Sequence, residues 1–180
     1  MNKIPKEVKI RIETYIKLET TSHLILKTKS SFNLNPRENL NLFINLGILN
    51  NIRRINKFHN EVNQKLNNNG YYVICSETLE ERRKRVWKKA LFGFKNIVRV
   101  FDFAYKRVLP KLPFIKKIYF FITKGHNRVM SKAEILGRLV SCGFNVIEYL
   151  EFENLFYVIS QKKKDPEYNF SPSYSPIFRM

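Results

Sequence analysis

Apolar and polar residues alternate with two different spacings along this chain, and the two spacings predict an α/β order of elements. Five short apolar runs are typical of strands, and they occupy residues 23–28, 42–46, 71–76, 144–150 and 155–160. Apolar residues at steps of three and four predict amphipathic helices, which occupy residues 7–18, 52–66 and 132–142. Alternation of strands and helices favours a mostly parallel sheet, whereas the short turn before residue 155 favours an antiparallel pair. The predicted fold class is α/β, with a mostly parallel five-stranded sheet and an antiparallel C-terminal hairpin.

Local signals place the ends of several of these elements. The pair Asn50-Asn51 is predicted to cap the helix that follows it. Residues 67–70, Asn-Asn-Asn-Gly, predict a turn because Asn and Gly accept a left-handed backbone. Ser131 and Glu134 form a predicted capping box, and Gly143 is a predicted helix C-cap.

The stretch between the third strand and the capping box is too long for a simple crossover between parallel strands. Its apolar pattern predicts two helices, at residues 91–108 and 114–122, because Pro110 and Pro113 end the first of them. We therefore expect one α/β domain over residues 1–161, with a helical insert at about 78–130, and a flexible tail over residues 162–180.

Positive charge is concentrated in this insert. The chain carries 33 Lys and Arg against 15 Asp and Glu, a net charge of +18. The segment from Arg82 to Arg128 alone holds fifteen of the basic residues and a single acid, Asp102. A surface this basic needs an anionic partner to offset its self-repulsion. The residues predicted to bind an anionic surface are Arg82, Arg83, Lys84, Arg85, Lys88, Lys89, Lys95, Arg99, Lys106, Arg107, Lys116 and Lys117.

Aromatic residues interleave with these charges and leave more than one interpretation open. Trp87, Phe92 and Phe103 are predicted to face the membrane if the helices lie at its interface. Alternatively, both helices pack on the body of the domain and expose only a solvated basic face. A third interpretation is a nucleic-acid-binding protein, which a steep salt dependence of polynucleotide binding would reveal.

No arrangement of side chains in the sequence predicts catalysis or a metal site. The three histidines are far apart and lack partners at metal-ligand spacing. Cys75 and Cys142 are isolated within apolar runs, which indicates buried thiols in a reducing compartment. The N-terminus lacks the apolar core of a signal peptide, and no apolar run is long enough to span a bilayer. We therefore expect no catalytic residue, cofactor or metal, in a protein that is cytoplasmic or peripheral on the inner face of the plasma membrane.

The order of elements over residues 42–160 resembles the C-terminal half of class I S-adenosylmethionine-dependent methyltransferases. Two short motifs carry the resemblance: the turn and strand Asn69-Gly70-Tyr71-Tyr72-Val73-Ile74, and the helix-to-strand step Cys142-Gly143-Phe144. In that family a glycine-rich turn after the first strand holds the cofactor. Here the corresponding residues are Lys29-Ser30-Ser31-Phe32, without glycine. The resemblance therefore implies the fold of a truncated class I methyltransferase without its cofactor site.

A second resemblance covers almost the whole chain. The segments that carry it are INL at 44–46, RRINKF at 53–58, LPKLP at 109–113, KKIYFF at 116–121, NRVMSKAE at 127–134 and LGRL at 136–139. They are similar to the region that precedes the catalytic kernel in bacterial exopolysaccharide-initiating sugar transferases. Those enzymes move a sugar phosphate from a nucleotide sugar onto a polyprenyl phosphate. Residues 171–180 resemble the entry to the kernel, but the kernel itself has no counterpart here, so no transferase activity is implied for this sequence alone.

Three functions are compatible with these observations. The leading hypothesis is a non-catalytic, methyltransferase-like accessory module at the cytoplasmic membrane face, associated in cis or in trans with a sugar transferase of exopolysaccharide biosynthesis. The alternatives are a small S-adenosylmethionine-dependent methyltransferase with a degenerate cofactor loop, and a basic nucleic-acid-binding protein. Binding to anionic lipid, to the cofactor or to polynucleotide, respectively, would distinguish the three.

Overall fold

The computed structural model of the protein describes residues 4–18, 21–27, 39–89, 100 and 128–165, with the backbone alone for residues 86–89. The helices and strands in these ranges follow the predicted α/β order. They are α1 (Lys6–Glu13), β1 (His23–Leu26), β2 (Leu40–Ile48), the 3₁₀ turn η1 (Leu49–Asn51), α2 (Ile55–Lys65), β3 (Leu66–Ser76), α3 (Leu79–Lys89), α4 (Lys132–Ser141), β4 (Phe144–Phe152) and β5 (Leu155–Lys162).

The five strands form one sheet in the order β1-β2-β3-β5-β4. β1, β2 and β3 run parallel, and α2 supplies the crossover that the parallel pair β2–β3 requires. β5 lies antiparallel to both β3 and β4, so the last two strands form the predicted hairpin. The predicted fold class is confirmed.

Helices cover both faces of the sheet. Phe58 of α2 and Leu139 of α4 belong to the same buried cluster as Phe43 on one face, whereas α1 buries Val8 and Ile12 on the opposite face. These side chains are at most 1% exposed, and full burial of one such side chain contributes about 1.5–3 kcal/mol. The core is therefore divided into two layers, one on each side of the sheet.

Two elements differ in length from the prediction. α1 ends at Glu13 rather than near residue 18, with Thr14 in the C-cap position. β2 extends from Leu40 to Ile48, well beyond the apolar run at 42–46. Asn45 is buried within this longer strand, and its Oδ1 accepts a hydrogen bond from the Gly47 N–H at 2.9 Å.

The predicted cap of α2 is wrong. The helix begins at Ile55, with Arg54 in the N-cap position and no side-chain cap hydrogen bond. Asn50 and Asn51 instead lie in η1, where Asn50 is only 2% exposed. A buried amide must find partners for its donors and acceptors, and Asn50 finds them at the carboxyl edge of the sheet.

The predicted turn at residues 67–70 lies inside β3, as an irregularity in its pairing with β2. Leu66 pairs with Leu40 and the next pair is Tyr71 with Leu42, so β3 advances five residues while β2 advances two. Asn69 has a φ of 63°. The left-handed backbone that the sequence indicated is therefore present, but it bulges a strand rather than separating a helix from a strand.

Helix α4 begins and ends where the sequence indicates. Ser131 is its N-cap, and the Ser131 Oγ accepts a hydrogen bond from the Glu134 N–H at 3.2 Å. The Glu134 carboxylate pairs with Arg138 at 2.9 Å, in place of the return bond of a capping box. Gly143 has a φ of 87°, the left-handed conformation in which glycine often follows a helix.

The last strand, β5, includes Lys162, the first residue of the predicted tail. Lys162 ends β5 and is 7% exposed. Its ammonium group donates to the carbonyls of Asn63 and Leu66 at 3.0 and 3.1 Å and pairs with Asp165 at 3.0 Å. It lies at the C-terminal end of α2, where a cation is favoured. Residues 166–180 of the predicted tail lie outside the described residues.

Candidate functional site

The carboxyl ends of the parallel strands meet the base of the insert at one edge of the sheet. In open α/β sheets, ligands bind at this edge. Three segments build it here: η1 after β2, residues 77–78 after β3, and the turn between β4 and β5. This edge is therefore the candidate functional site.

One buried amide, that of Asn50, fastens both ends of the insert to this edge. Its Nδ2 donates to the carbonyls of Glu77 at 2.9 Å and of Arg128 at 2.6 Å. Its Oδ1 accepts from the Ser76 hydroxyl at 2.9 Å and from the Glu77 N–H at 2.8 Å. These four hydrogen bonds use both donors and both acceptor positions of the amide, so Asn50 is buried without an unsatisfied side-chain atom.

Backbone hydrogen bonds close the base of the insert. Thr78 and Met130 form a parallel β-bridge, and the Leu79 N–H donates to the Met130 carbonyl at 2.9 Å. The Arg128 N–H donates to the Asn50 carbonyl at 3.0 Å. The chain therefore leaves the domain and returns to it at one place, with the two ends of the insert joined to each other and to Asn50.

A cleft of about 480 Å³ lies beside this base. Small-molecule sites have volumes of roughly 300–1,000 Å³, so the cleft is large enough for such a ligand. Its lining residues come from these three segments, from the adjoining strand ends and from α3, and they are Ile48, Asn50, Asn51, Glu77, Arg85, Glu153, Asn154 and Leu155.

The first basic residues of the insert are held in ion pairs. Arg85 makes a two-point pair with Glu77, with Nε 2.7 Å from Oε1 and Nη2 2.9 Å from Oε2. Arg82 lies 3.7 Å from the same carboxylate and is 7% exposed, and Lys84 pairs with Glu81 at 2.6 Å. Arg82, which is predicted to bind an anionic surface, is thus buried beside Glu77, whereas the Lys84 and Arg85 side chains are 60% and 45% exposed.

Acidic residues at the start of the insert largely neutralise the basic residues there. Residues 77–85 contain three acids and four bases, namely Glu77, Glu80, Glu81, Arg82, Arg83, Lys84 and Arg85. Arg83 is exposed. The backbones of Trp87, Lys88 and Lys89 belong to α3, but the structure does not describe their side chains. The other predicted surface residues lie wholly outside the described residues, and they are Phe92, Lys95, Arg99, Phe103, Lys106, Arg107, Lys116 and Lys117.

His59 is a buried structural histidine between α2 and the sheet. Its Nδ1 lies 3.1 Å from the hydroxyl oxygen of Tyr72, and its ring contacts those of Phe58 and Tyr72. Burial, reinforced by the positive charge of Arg138, lowers the pKa of His59 to about 3. The imidazole is therefore neutral at physiological pH and packs as part of the core.

The two cysteines are buried thiols without a disulfide, as predicted. Burial raises the pKa of Cys75 to about 12 and also raises the pKa of Cys142. Within the described ranges, no three His, Cys, Asp or Glu side chains are grouped so that they could hold a metal ion. None of the described helices combines the length and the hydropathy of a membrane-spanning segment.

Sequence reasoning missed the residues that build this edge. Asn50 is interpreted from the sequence as a helix cap, and neither Glu77 nor Asn154 stands out by residue type. The signal that could have found them is position, because each lies within two residues of a strand end. At the carboxyl ends of parallel strands, polar residues from separate segments come together.

No protein-family model matches this chain, and no curated protein matches it. Several solved structures are similar at low identity. A possible exported protein from Bordetella parapertussis is 16% identical, with a TM-score of 0.45 over 73% of this chain and 42% of that chain. An O-methyltransferase family 2 protein from Planctomyces limnophilus is 11% identical, with a TM-score of 0.42 over 72% and 32%. A possible histamine N-methyltransferase from Thermotoga maritima is 13% identical, with a TM-score of 0.42 over 73% and 60%.

These similarities are partial. The chain spans 32% to 60% of the length of the three structures. An O-methyltransferase family 2 protein and a possible histamine N-methyltransferase are among the three, each with a TM-score of 0.42. The described residues by themselves define a mostly parallel α/β domain with an insert hydrogen-bonded to the carboxyl edge of its sheet.

Proposed function

We propose that this chain is a non-catalytic, methyltransferase-like module whose basic insert binds an anionic membrane surface. The observation that carries the proposal is the base at Asn50, which joins both ends of a strongly basic segment to the sheet. Residues 86–127 contain ten Lys and Arg and one acid, Asp102. Both described ends of this segment are hydrogen-bonded to one edge of the domain, and the proposal is that several of its charges act on one surface.

Two observations support the absence of catalysis in this proposal. Residues 29–32, which follow β1 after Lys27 and Thr28, are Lys-Ser-Ser-Phe. A side chain at each of these positions hinders the close backbone approach that a glycine-rich cofactor turn provides. At the carboxyl edge, the Glu77 carboxylate is occupied by Arg85 at 2.7 and 2.9 Å. Glu77 is thus a structural counter-ion rather than a general base.

The finer part of the proposal is an association with a sugar transferase of exopolysaccharide biosynthesis, in cis or in trans. It rests on the sequence resemblance of residues 44–58 and 109–139 to the region that precedes the kernel in those enzymes. A module of this kind would hold its partner at the cytoplasmic face of the membrane, where the polyprenyl phosphate lies. Co-purification of the full chain with such a transferase from detergent-solubilised membranes tests this part separately.

Vesicle co-sedimentation of the full chain tests membrane binding. The test variant is Lys116→Glu with Lys117→Glu, and the matched control is Lys6→Glu with Lys17→Glu, which makes the same charge change at exposed positions in and after α1. Each basic residue near an anionic leaflet contributes about 1 kcal/mol, so the test variant should bind acidic vesicles at least about thirtyfold more weakly. The control should lose much less, and 1 M salt should release the wild type.

Equal binding to neutral and acidic vesicles, or binding to neither, would overturn the proposal. Tight polynucleotide binding with a steep salt dependence, without vesicle binding, would favour the nucleic-acid-binding alternative instead.

The second candidate is a small S-adenosylmethionine-dependent methyltransferase. The cleft of about 480 Å³ at the carboxyl edge favours it, because this is the edge at which α/β sheets hold their ligands. Isothermal titration of the full chain with S-adenosylmethionine decides between the two. We expect no binding. A micromolar dissociation constant would instead favour the interpretation that the chain is a methyltransferase.

A further inference from the structure

The hairpin turn beside the cleft has an unusual residue in a demanding conformation. Glu153 and Asn154 form the two-residue loop between β4 and β5, with φ values of 50° and 60°. Two-residue loops with both φ values positive favour Asn and Gly, and a side chain such as glutamate is disfavoured there. The backbone conformation at this position therefore favours Asn or Gly over the glutamate that occupies it.

No contact within the described part of the protein explains this choice. The carboxylates of Glu77, Glu148 and Glu151 are each paired with a basic side chain. Glu153, by contrast, makes neither an ion pair nor a hydrogen bond with any described residue, although it lines the cleft. A strained backbone position that no contact within the protein stabilises is a reason to look for a ligand.

The other charged groups of the cleft are already matched. Arg85 and Glu77 bind each other at two points, so among the described lining residues the Glu153 carboxylate is the one charge without an ion-pair partner. Ile48 and Leu155 are half-buried and give the cleft apolar walls. The cleft therefore combines one open anionic acceptor with two aliphatic surfaces.

We propose that this cleft binds a small organic cation, an amine with a compact apolar body whose ammonium group contacts the Glu153 carboxylate. The apolar body packs between Ile48 and Leu155. This proposal does not depend on whether the insert binds a membrane. At physiological salt the Debye length is about 8 Å, so the net positive charge of the chain does not prevent a cation from reaching a close carboxylate.

Three probes of one shape and different charge test the proposal: benzylamine, benzyl alcohol and benzoate. Each is titrated into the full chain in 0.15 M salt, at concentrations up to about 10 mM, since single-ring ligands bind weakly. Saturation-transfer NMR gives the dissociation constants. We expect benzylamine to bind about tenfold more tightly than benzyl alcohol, the effect of one charge-assisted hydrogen bond, and benzoate to bind most weakly.

Two substitutions separate recognition from folding. Glu153→Gln should abolish the preference for the amine, whereas Glu7→Gln, which removes an equal charge from the exposed face of α1, should retain it. Glu153→Asn should raise the melting temperature by relieving the strained position and should also lose the preference for the amine. The proposal is overturned if none of the probes binds, if benzoate binds as well as benzylamine, or if the preference survives in Glu153→Gln.

Discussion

Asn50 and Arg128 lie 78 residues apart in the chain and are joined by two hydrogen bonds. The Asn50 Nδ2 donates to the Arg128 carbonyl at 2.6 Å, and the Arg128 N–H donates to the Asn50 carbonyl at 3.0 Å. The same side chain holds Glu77, at the start of the insert. One buried amide thus decides where the basic segment is attached to the α/β domain.

Removal of this amide should destabilise the domain. Asn50→Ala deletes four side-chain hydrogen bonds and leaves the Glu77 and Arg128 backbone groups short of partners, so we expect a loss of about 3 kcal/mol in the free energy of unfolding. Asn50→Asp should lose a similar amount, since it replaces two donors by an acceptor that faces carbonyls. Urea denaturation measures both. Asn145→Ala, at an exposed position in β4, is the control and should change stability by less than about 0.5 kcal/mol.

His59 should contribute to acid sensitivity. Its pKa is about 3 in the folded protein, whereas an unfolded chain binds the proton below about 6.5. Between these values the unfolded state binds more protons, so the free energy of unfolding falls as the pH falls, with a limiting slope of about 1.4 kcal/mol per pH unit. This contribution to stability is fully present above about pH 6.5.

The comparison that isolates His59 uses Tyr72→Phe as the background, because Tyr72 would otherwise lose its hydrogen-bond partner. Adding His59→Phe to that background should flatten the dependence of unfolding on pH between about 3 and 6.5. An unchanged slope would show that other groups cause the acid sensitivity.

Two glycines should respond oppositely to alanine. A Cβ on Gly143 would collide with the Lys164 carbonyl and the Asn63 amide, and its φ is 87°, so Gly143→Ala should destabilise the domain by about 2–4 kcal/mol. Gly137 lies in the interior of α4 with open space where a Cβ would be. Gly137→Ala should therefore stabilise the domain by about 0.5–1 kcal/mol. Thermal unfolding of the two variants tests this prediction. A change in melting temperature of the same sign in both variants would contradict it.

Neither thiol should react in the folded protein. Burial raises the pKa of Cys75 to about 12 and also raises that of Cys142, and it is the thiolate that attacks a disulfide reagent. We expect both cysteines to react with an aromatic disulfide reagent only after denaturation. Two equivalents of the aromatic thiolate are then released for each protein chain. Fast reaction of either one at neutral pH would show that its surroundings open in solution.

The strands and helices near the core were predictable because their apolar spacing is a local property. The runs at 71–76 and 155–160 became the central strands β3 and β5, and the Ser131 cap starts α4 at the expected residue. The left-handed positions Asn69 and Gly143 were also visible, since few residues accept that backbone.

The sequence shows where positive charge is concentrated, but not which of these charged side chains remain exposed in the folded protein. Counting from Arg82 separates the basic stretch from Glu77 and Glu81, which lie only a few residues earlier. Once α3 forms, these acids lie beside Arg82, Lys84 and Arg85 and pair with them. Contact across helical turns and strand ends, rather than position in a run, decides which charges remain exposed.

By itself the sequence determined the α/β class, the antiparallel hairpin and the concentration of charge in the insert, because periodicity, turn chemistry and net charge are properties of neighbouring residues. Only the tertiary structure decided the role of Asn50, the burial of Arg82 and Lys162, and the grouping of Ile48, Glu153 and Leu155 around one cleft. The physical reason is that hydrogen bonds and ion pairs between distant segments depend on strand order and crossover geometry. A buried polar residue finds its partners only when those segments meet.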